Sequence, residues 1–127
     1  MKPVFSLTVL CFITSAAFAD GDAVHGKMIF KKCGQCHIIE RPENNTGPSL
    51  IGIVGRPAAT FPGYAYSAAM IAKGAEGWVW TEKNLADYLL DPKGLIPGVA
   101  MNFAGLKKPK DIADVIAYLK LNPAQKN

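Results

Sequence analysis

Side chains that bind metals or cross-link a chain are scarce in this sequence: its 127 residues include three cysteines and two histidines. One of the cysteines, Cys11, lies in an apolar N-terminal run, so a single pair remains for the rest of the chain. That excludes a disulfide-dense scaffold. A zinc site would want another ligand pair beside these two cysteines. Charge is thin as well. Fourteen basic residues against ten acidic ones leave a surplus of +4, which gives no reason to expect nucleic acid as a partner. No repeat, low-complexity tract or alternating strand pattern is present.

The remaining cysteines stand in Cys33-Gly34-Gln35-Cys36-His37. Two thiols three apart lie on one side of a helical turn, where each can add to a vinyl group of one porphyrin. The adjacent imidazole is then tethered under the iron, for which it is a suitable axial ligand. This is the pattern of a c-type haem attachment site, and one covalently bound haem c is the expected cofactor. The competing reading is a redox or zinc Cys-x-x-Cys with a chance histidine beside it. It finds only Cys11 and His25 as further ligands.

The chain opens with Lys2, an apolar run from Val4 to Phe18, and Ala17-Phe18-Ala19 before Asp20. This pattern predicts a secretory signal peptide over residues 1–19, cleaved after Ala19 and taking Cys11 with it. An uncleaved anchor is the alternative, since a run of this length can just span a bilayer with help from its flanks. Residues 20–127 would then form one small domain with a limited core. A buried haem adds apolar surface to such a core. Of the basic residues only Lys2 is in the leader, and two ionised propionates would nearly cancel the surplus that remains. Both thiols must stay reduced in a compartment that oxidises them. A periplasmic location and dedicated haem-attachment machinery follow.

The first helix is expected from Asp20–Asp22 to the cysteine motif, its carboxylates favouring the N-terminus. Gly26 and Phe30 share one face of it, and Gly there costs about 1 kcal/mol against Ala. Either another helix crosses closely at Gly26 or the glycine is merely tolerated. Ile38 to Pro62 has no sustained period and many breakers, which predicts a long loop of the kind seen when a chain wraps a ligand. Ser67 can cap a short helix through Lys73, ended by Gly74. Thr81 caps the next, with Trp80 and Leu85 as a hydrophobic staple and Asp91 as its end before Pro92. Pro92 to Lys108 reads as a second loop. Ile112, Val115, Ile116 and Leu119 form one stripe of a helix from about Pro109 to Leu121.

A haem with one histidine needs a sixth ligand or an open site. Met28, Met70, Met101 and His25 are the available donors. Met28 and His25 precede the attachment site too closely to reach the other haem face without the helix folding back. Met70 in an alanine-rich helix suits packing, whereas Met101 lies on a loop long enough to reach over a ring.

With these residues the chain resembles a class I c-type cytochrome, similar to mitochondrial cytochrome c and bacterial cytochrome c2. The resemblance rests on Gly26-x-x-x-Phe30, Cys33-x-x-Cys36-His37, Thr46-Gly47-Pro48, Gly55-Arg56, Pro62-Gly63-Tyr64-x-Tyr66 and Trp80. It continues through Leu85-x-x-Tyr88-Leu89, Pro92, Ile96-Pro97-Gly98-x-x-Met101-x-Phe103-x-Gly105 and Ile116-Ala117-Tyr118-Leu119. It implies an all-α fold in which the terminal helices cross and long loops wrap the haem, with Gly26 and Phe30 packing on Val115 and Tyr118. Cys33 and Cys36 would hold the haem, and His37 and Met101 would be its axial ligands. Pro48 would accept a hydrogen bond from the other ring nitrogen of His37, and Tyr88 would bond near the Met101 sulfur. Arg56, Tyr66 and Trp80 would surround a buried propionate, a costly charge if unpaired.

The sequence also departs from the family. Met70 and Val99 stand where a polar residue is common, and Ala100 and Gly94 replace lysines at the haem edge. Lys27, Lys31, Lys32, Lys93, Lys107 and Lys108 would still ring that edge. The function implied is a soluble, monomeric electron carrier, not an enzyme. It would shuttle single electrons from a cytochrome bc1-type donor to an oxidase, reaction-centre or reductase acceptor. A small peroxidase or gas sensor would need an open iron, and no distal acid–base residue stands out. A membrane-tethered carrier would require the leader to stay.

Overall fold

Four of the five described helices begin at a side chain that caps them, and the last begins at Pro109 with no side-chain cap. The computed structural model describes residues 1–3 and 20–123. The apolar leader, Cys11 and the cleavage point expected after Ala19 lie outside the described residues, as do residues 124–127. In chain order the helices are α1 (Ala23–Phe30), α2 (Ala68–Ala75), α3 (Glu82–Leu90), α4 (Pro92–Leu95) and α5 (Pro109–Lys120). The Asp22 carboxylate accepts from the amides of Val24 and His25. Ser67 Oγ accepts from Met70 N at 3.2 Å and Thr81 Oγ1 from Asn84 N at 3.1 Å. Each cap contributes about 1 kcal/mol by satisfying an amide that the helix cannot.

The fold is all-α. Among the described residues the only β pairing is an isolated antiparallel bridge between Pro57 and Val79. It ties the long loop to the segment before α3, with Gly55 N donating to Trp80 O and Trp80 N to Arg56 O. Trp80 and Leu85 are both buried, as a hydrophobic staple requires.

Two boundaries differ from expectation. Helix α2 runs past Gly74 to Ala75, and the left-handed residue after it is Gly77 at φ 82°. Gly74 serves a close approach instead, because a Cβ there would sit 2.6 Å from the Ala58 carbonyl oxygen. The stretch after Asp91 is also not all loop. Pro92 starts a single helical turn in which the Asp91 carboxylate accepts from Gly94 N at 3.0 Å. Pro at the first helical position loses no hydrogen bond and is already set at helical φ.

The core is closed by α1 crossing α5. Ile112, Val115, Ile116 and Leu119 are all buried, and the Phe30 and Tyr118 rings meet edge to face at 5.4 Å. Gly26 makes the crossing possible, since a Cβ there would collide with the Asp114 carbonyl and lie 3.0 Å from Tyr118 Cβ.

Asp114 shares this face of α5 although it is charged, and it is 2% exposed. Its carboxylate accepts from Lys110 Nζ at 2.5 Å, the Asp22 amide at 2.7 Å and His25 Nδ1 at 2.7 Å. It thus stitches the start of α1 to α5. Lys110, the Asp22 amide and His25 hold the carboxyl down at about 2, against the opposing pull of burial. A depressed pKa contributes stability that is complete above the ordinary value of 3.8 and is lost as pH falls through about 2. Asp114→Asn is therefore expected to destabilise the haem-loaded protein at neutral pH and to flatten its acid unfolding between pH 4 and 2, roughly. Circular dichroism across an acid titration reads this, and an acid limb identical to the parent's would show that the carboxylate contributes nothing.

Candidate haem site

The attachment turn grows directly out of α1. Cys33 N and Gly34 N donate to Phe30 O at 2.8 and 2.9 Å, and Cys36 N and His37 N to Cys33 O at 3.0 Å. These bonds continue a helical path, so the thiols emerge from neighbouring positions on one turn. Neither is in a disulfide; Cys33 is half-buried and Cys36 exposed. Burial pushes the Cys33 thiol up, while Lys32 pulls it down.

His37 is fixed by its partner across the loop. Its Nδ1 lies 2.7 Å from the Pro48 carbonyl oxygen. A carbonyl only accepts, so Nδ1 carries the proton and Nε2 keeps its lone pair for a metal. Burial pushes the imidazole pKa down, opposed by that carbonyl. Gly47 lies flat on the ring: a Cβ at this position would sit 2.7 Å from His37 Nδ1 and 2.9 Å from Nε2.

The expected propionate residues come from the loop and the segment before α3. Arg56 donates through Nη1 to Ser49 O at 2.9 Å and through Nη2 to Ile51 O, and its guanidinium lies 4.7 Å from the Phe61 ring centroid. Burial lowers its pKa, with the Tyr66 hydroxyl opposing. Tyr66 accepts from Phe61 N at 3.1 Å. Trp80 is buried, 5.0 Å from the Tyr88 ring and 6.3 Å from that of Trp78. The Trp78 indole N–H is buried without a partner among the described residues, a donor that nothing in the sequence singles out.

Met101 is partly buried on the loop after α4 and packs against the core together with Val99 and Phe103. Tyr88 is buried, which pushes its phenol up to about 12. The other donors are placed elsewhere. Met28 is 60% exposed, Met70 belongs to the core, and His25 is engaged by Asp114. Of the lysines expected at the haem edge, Lys107 donates to Leu90 O and Ala104 O, and Lys93 approaches Asn102 Oδ1 at 3.4 Å. Lys27, Lys31, Lys32 and Lys108 have no carboxylate partner among the described residues.

These residues fit a covalently attached haem. Two unpaired thiols leave one helical turn, and the next residue is an imidazole whose Nδ1 is already occupied by a carbonyl. The chain is also recognisable by comparison. Residues 23–122 match the family model described as Cytochrome c. A cytochrome c of Guizotia abyssinica is 47% identical, over 86% of this chain and 100% of its own length. A cytochrome c2 of Agrobacterium tumefaciens is 45% identical, over 84% of this chain and 97% of its own. The solved structure of cytochrome cH from Methylobacterium extorquens superposes with a TM-score of 0.73 at 41% identity, covering 80% of this chain and 99% of that one. The chain belongs to the cytochrome c family, in the class I fold, and its cofactor is covalently attached haem c. A haem-based electron carrier is what that membership establishes.

Gly47→Ala must displace the ring or the loop, and overpacking of this kind costs about 1–3 kcal/mol. Denaturant unfolding of the haem-loaded variant measures it; a midpoint equal to the parent's would show that the loop yields freely.

Proposed function

We propose that this protein carries single electrons between membrane redox complexes outside the cytoplasmic membrane, through a haem c ligated by His37 and Met101. The observation that carries the reading is the His37 Nδ1 bond to Pro48, which leaves Nε2 for iron one residue after the two thiols. Haem c supplies the one-electron iron couple. Cys33 and Cys36 would hold it by thioether bonds, and His37 and Met101 would be its iron ligands. A thioether is soft and favours Fe(II), so Met101 raises the potential. Arg56, Tyr66 and Trp80 would offer charge and N–H or O–H donors to a buried propionate, and Tyr88, buried in the same core that Met101 packs against, would bond toward its sulfur.

A carrier suits these residues better than a catalyst does. The two histidines are His37 and His25, and His25 is engaged by Asp114, so the described residues offer no histidine as a distal acid or base. Docking is weak and fast, steered by Lys27, Lys31, Lys32 and Lys108 toward acidic patches on a cytochrome bc1-type donor and on an oxidase, reaction-centre or reductase acceptor. The periplasmic assignment rests on the leader sequence, with cleavage after Ala19. Among the described residues no helix is long and apolar enough to cross a membrane.

Optical spectra of the oxidised and reduced holoprotein, with and without carbon monoxide, test the ligation. The parent is expected to be low-spin and unresponsive to carbon monoxide, and Met101→Ala to bind it and to have a lower potential. A variant with the parent's potential and carbon monoxide response would remove Met101 from the site. Terminal sequencing of the native protein tests export: the first residue is expected to be Asp20, and an intact Met1 would mean a retained anchor.

A further inference from the structure

The side chain that does most to join the two segments bearing on His37 is one the sequence does not advertise. Ser49 is 0% exposed. It follows Pro48, whose carbonyl receives the His37 Nδ1 proton. Its hydroxyl faces three backbone groups: Ile38 O at 3.1 Å, Arg41 O at 2.8 Å and Ile51 N at 3.2 Å. Ile38 is the residue after His37 and Ile51 lies three past Pro48. The hydroxyl therefore ties the segment leaving the histidine to the segment leaving the carbonyl.

The rest of Ser49 is held as firmly. Its amide donates to Asn44 Oδ1 at 3.1 Å, while Asn44 Nδ2 donates to Pro62 O at 3.0 Å. Its carbonyl takes Arg56 Nη1 at 2.9 Å. Backbone bonds flank the pair, Gly47 N to Cys36 O and Leu50 N to Ile38 O, both at 2.8 Å. Every polar group of Ser49 is thus engaged, in a loop with no helix or strand to set its register. A buried hydroxyl replaced by a methyl leaves its former partners unsatisfied, which is the expensive way to lose a hydrogen bond.

We infer that Ser49 is a positioning residue for the axial histidine: by fixing Pro48 against Ile38 it sets the strength of the His37 to Pro48 hydrogen bond, and through it the donor strength of Nε2 toward iron. This rests on His37 being the axial ligand. A carbonyl that accepts from Nδ1–H makes the imidazole more basic at Nε2, and the more basic ligand favours Fe(III). Loosening that carbonyl weakens the bond, so the potential rises.

The test compares holoprotein variants by spectroelectrochemical potential and by the hyperfine-shifted ring protons of His37 in the oxidised protein. Ser49→Ala is expected to raise the potential and move the His37 resonances, and Ser49→Thr, which retains a hydroxyl, to return both toward the parent. Asp114→Asn is the control for instability alone, and is expected to leave potential and resonances in place. If Ser49→Ala does not fold, Ser49→Cys carries the test, because its thiol fills the site but is only a weak donor and acceptor; the same direction of change is expected. A potential and ring resonances equal to the parent's in either variant would overturn the inference. A parent spectrum without an imidazole ligand would overturn the ligation of His37 instead, and the two failures are told apart by that spectrum.

Discussion

The hydrogen bond from His37 Nδ1 to the Pro48 carbonyl constrains everything around it. It must hold an imidazole edge-on to a carbonyl at 2.7 Å although neither group belongs to a helix. A helix positions its side chains through its own backbone bonds, whereas a loop has to find partners one by one. In this loop the partners are supplied by Asn44, Ser49 and Arg56, whose side chains bond backbone groups rather than one another. Gly47 completes the arrangement by having no side chain, so that the backbone lies directly on the ring.

The helices serve this loop by closing the molecule behind it. Helix α1 leads straight into the attachment turn, and its angle is set where Gly26 meets the backbone of α5. Such a crossing leaves no room for adjustment, since a side chain at position 26 would strike backbone rather than a flexible neighbour. Asp114 adds directional bonds at the start of α1, a segment too short to be stable by itself. The helix thus secures the turn that carries the thiols, whereas the proposed proximal ligand is positioned by the loop carbonyl across from it.

How much of this can be read from the sequence depends on how local each signal is. Caps and stripes are local: Asp22, Ser67 and Thr81 mark helix starts, and Ile112, Val115, Ile116 and Leu119 mark a buried face. The pentapeptide at Cys33 is local too, and its chemistry follows from spacing. Gly74 misleads because a glycine can end a helix or admit a neighbour, and only the position of Ala58 decides which. The turn at Pro92 is missed because proline reads as a breaker, although at the first helical position it helps. Asp114 and Ser49 are invisible for a different reason. Each is an ordinary polar residue whose importance comes from partners that no local pattern announces, Asp22 lying 92 positions from Asp114 and Arg41 8 from Ser49.

Burying those polar groups follows from what an electron carrier has to do. The less the ligands move when the iron changes charge, the less the surroundings must reorganise with each transfer. A purely apolar pocket would exclude water but would not fix the azimuth of an imidazole ring, because apolar packing is non-directional. Hydrogen bonds are directional, and inside a protein they are stiffened by the low local dielectric. A loop with its polar groups satisfied in this way holds one geometry, at the cost of tolerating few substitutions. That accounts for a serine, an asparagine and an arginine near the middle of a small chain whose core has little apolar area to spare. The rigidity of the site comes from these partly buried bonds, and the helices supply the frame that limits the access of water to them.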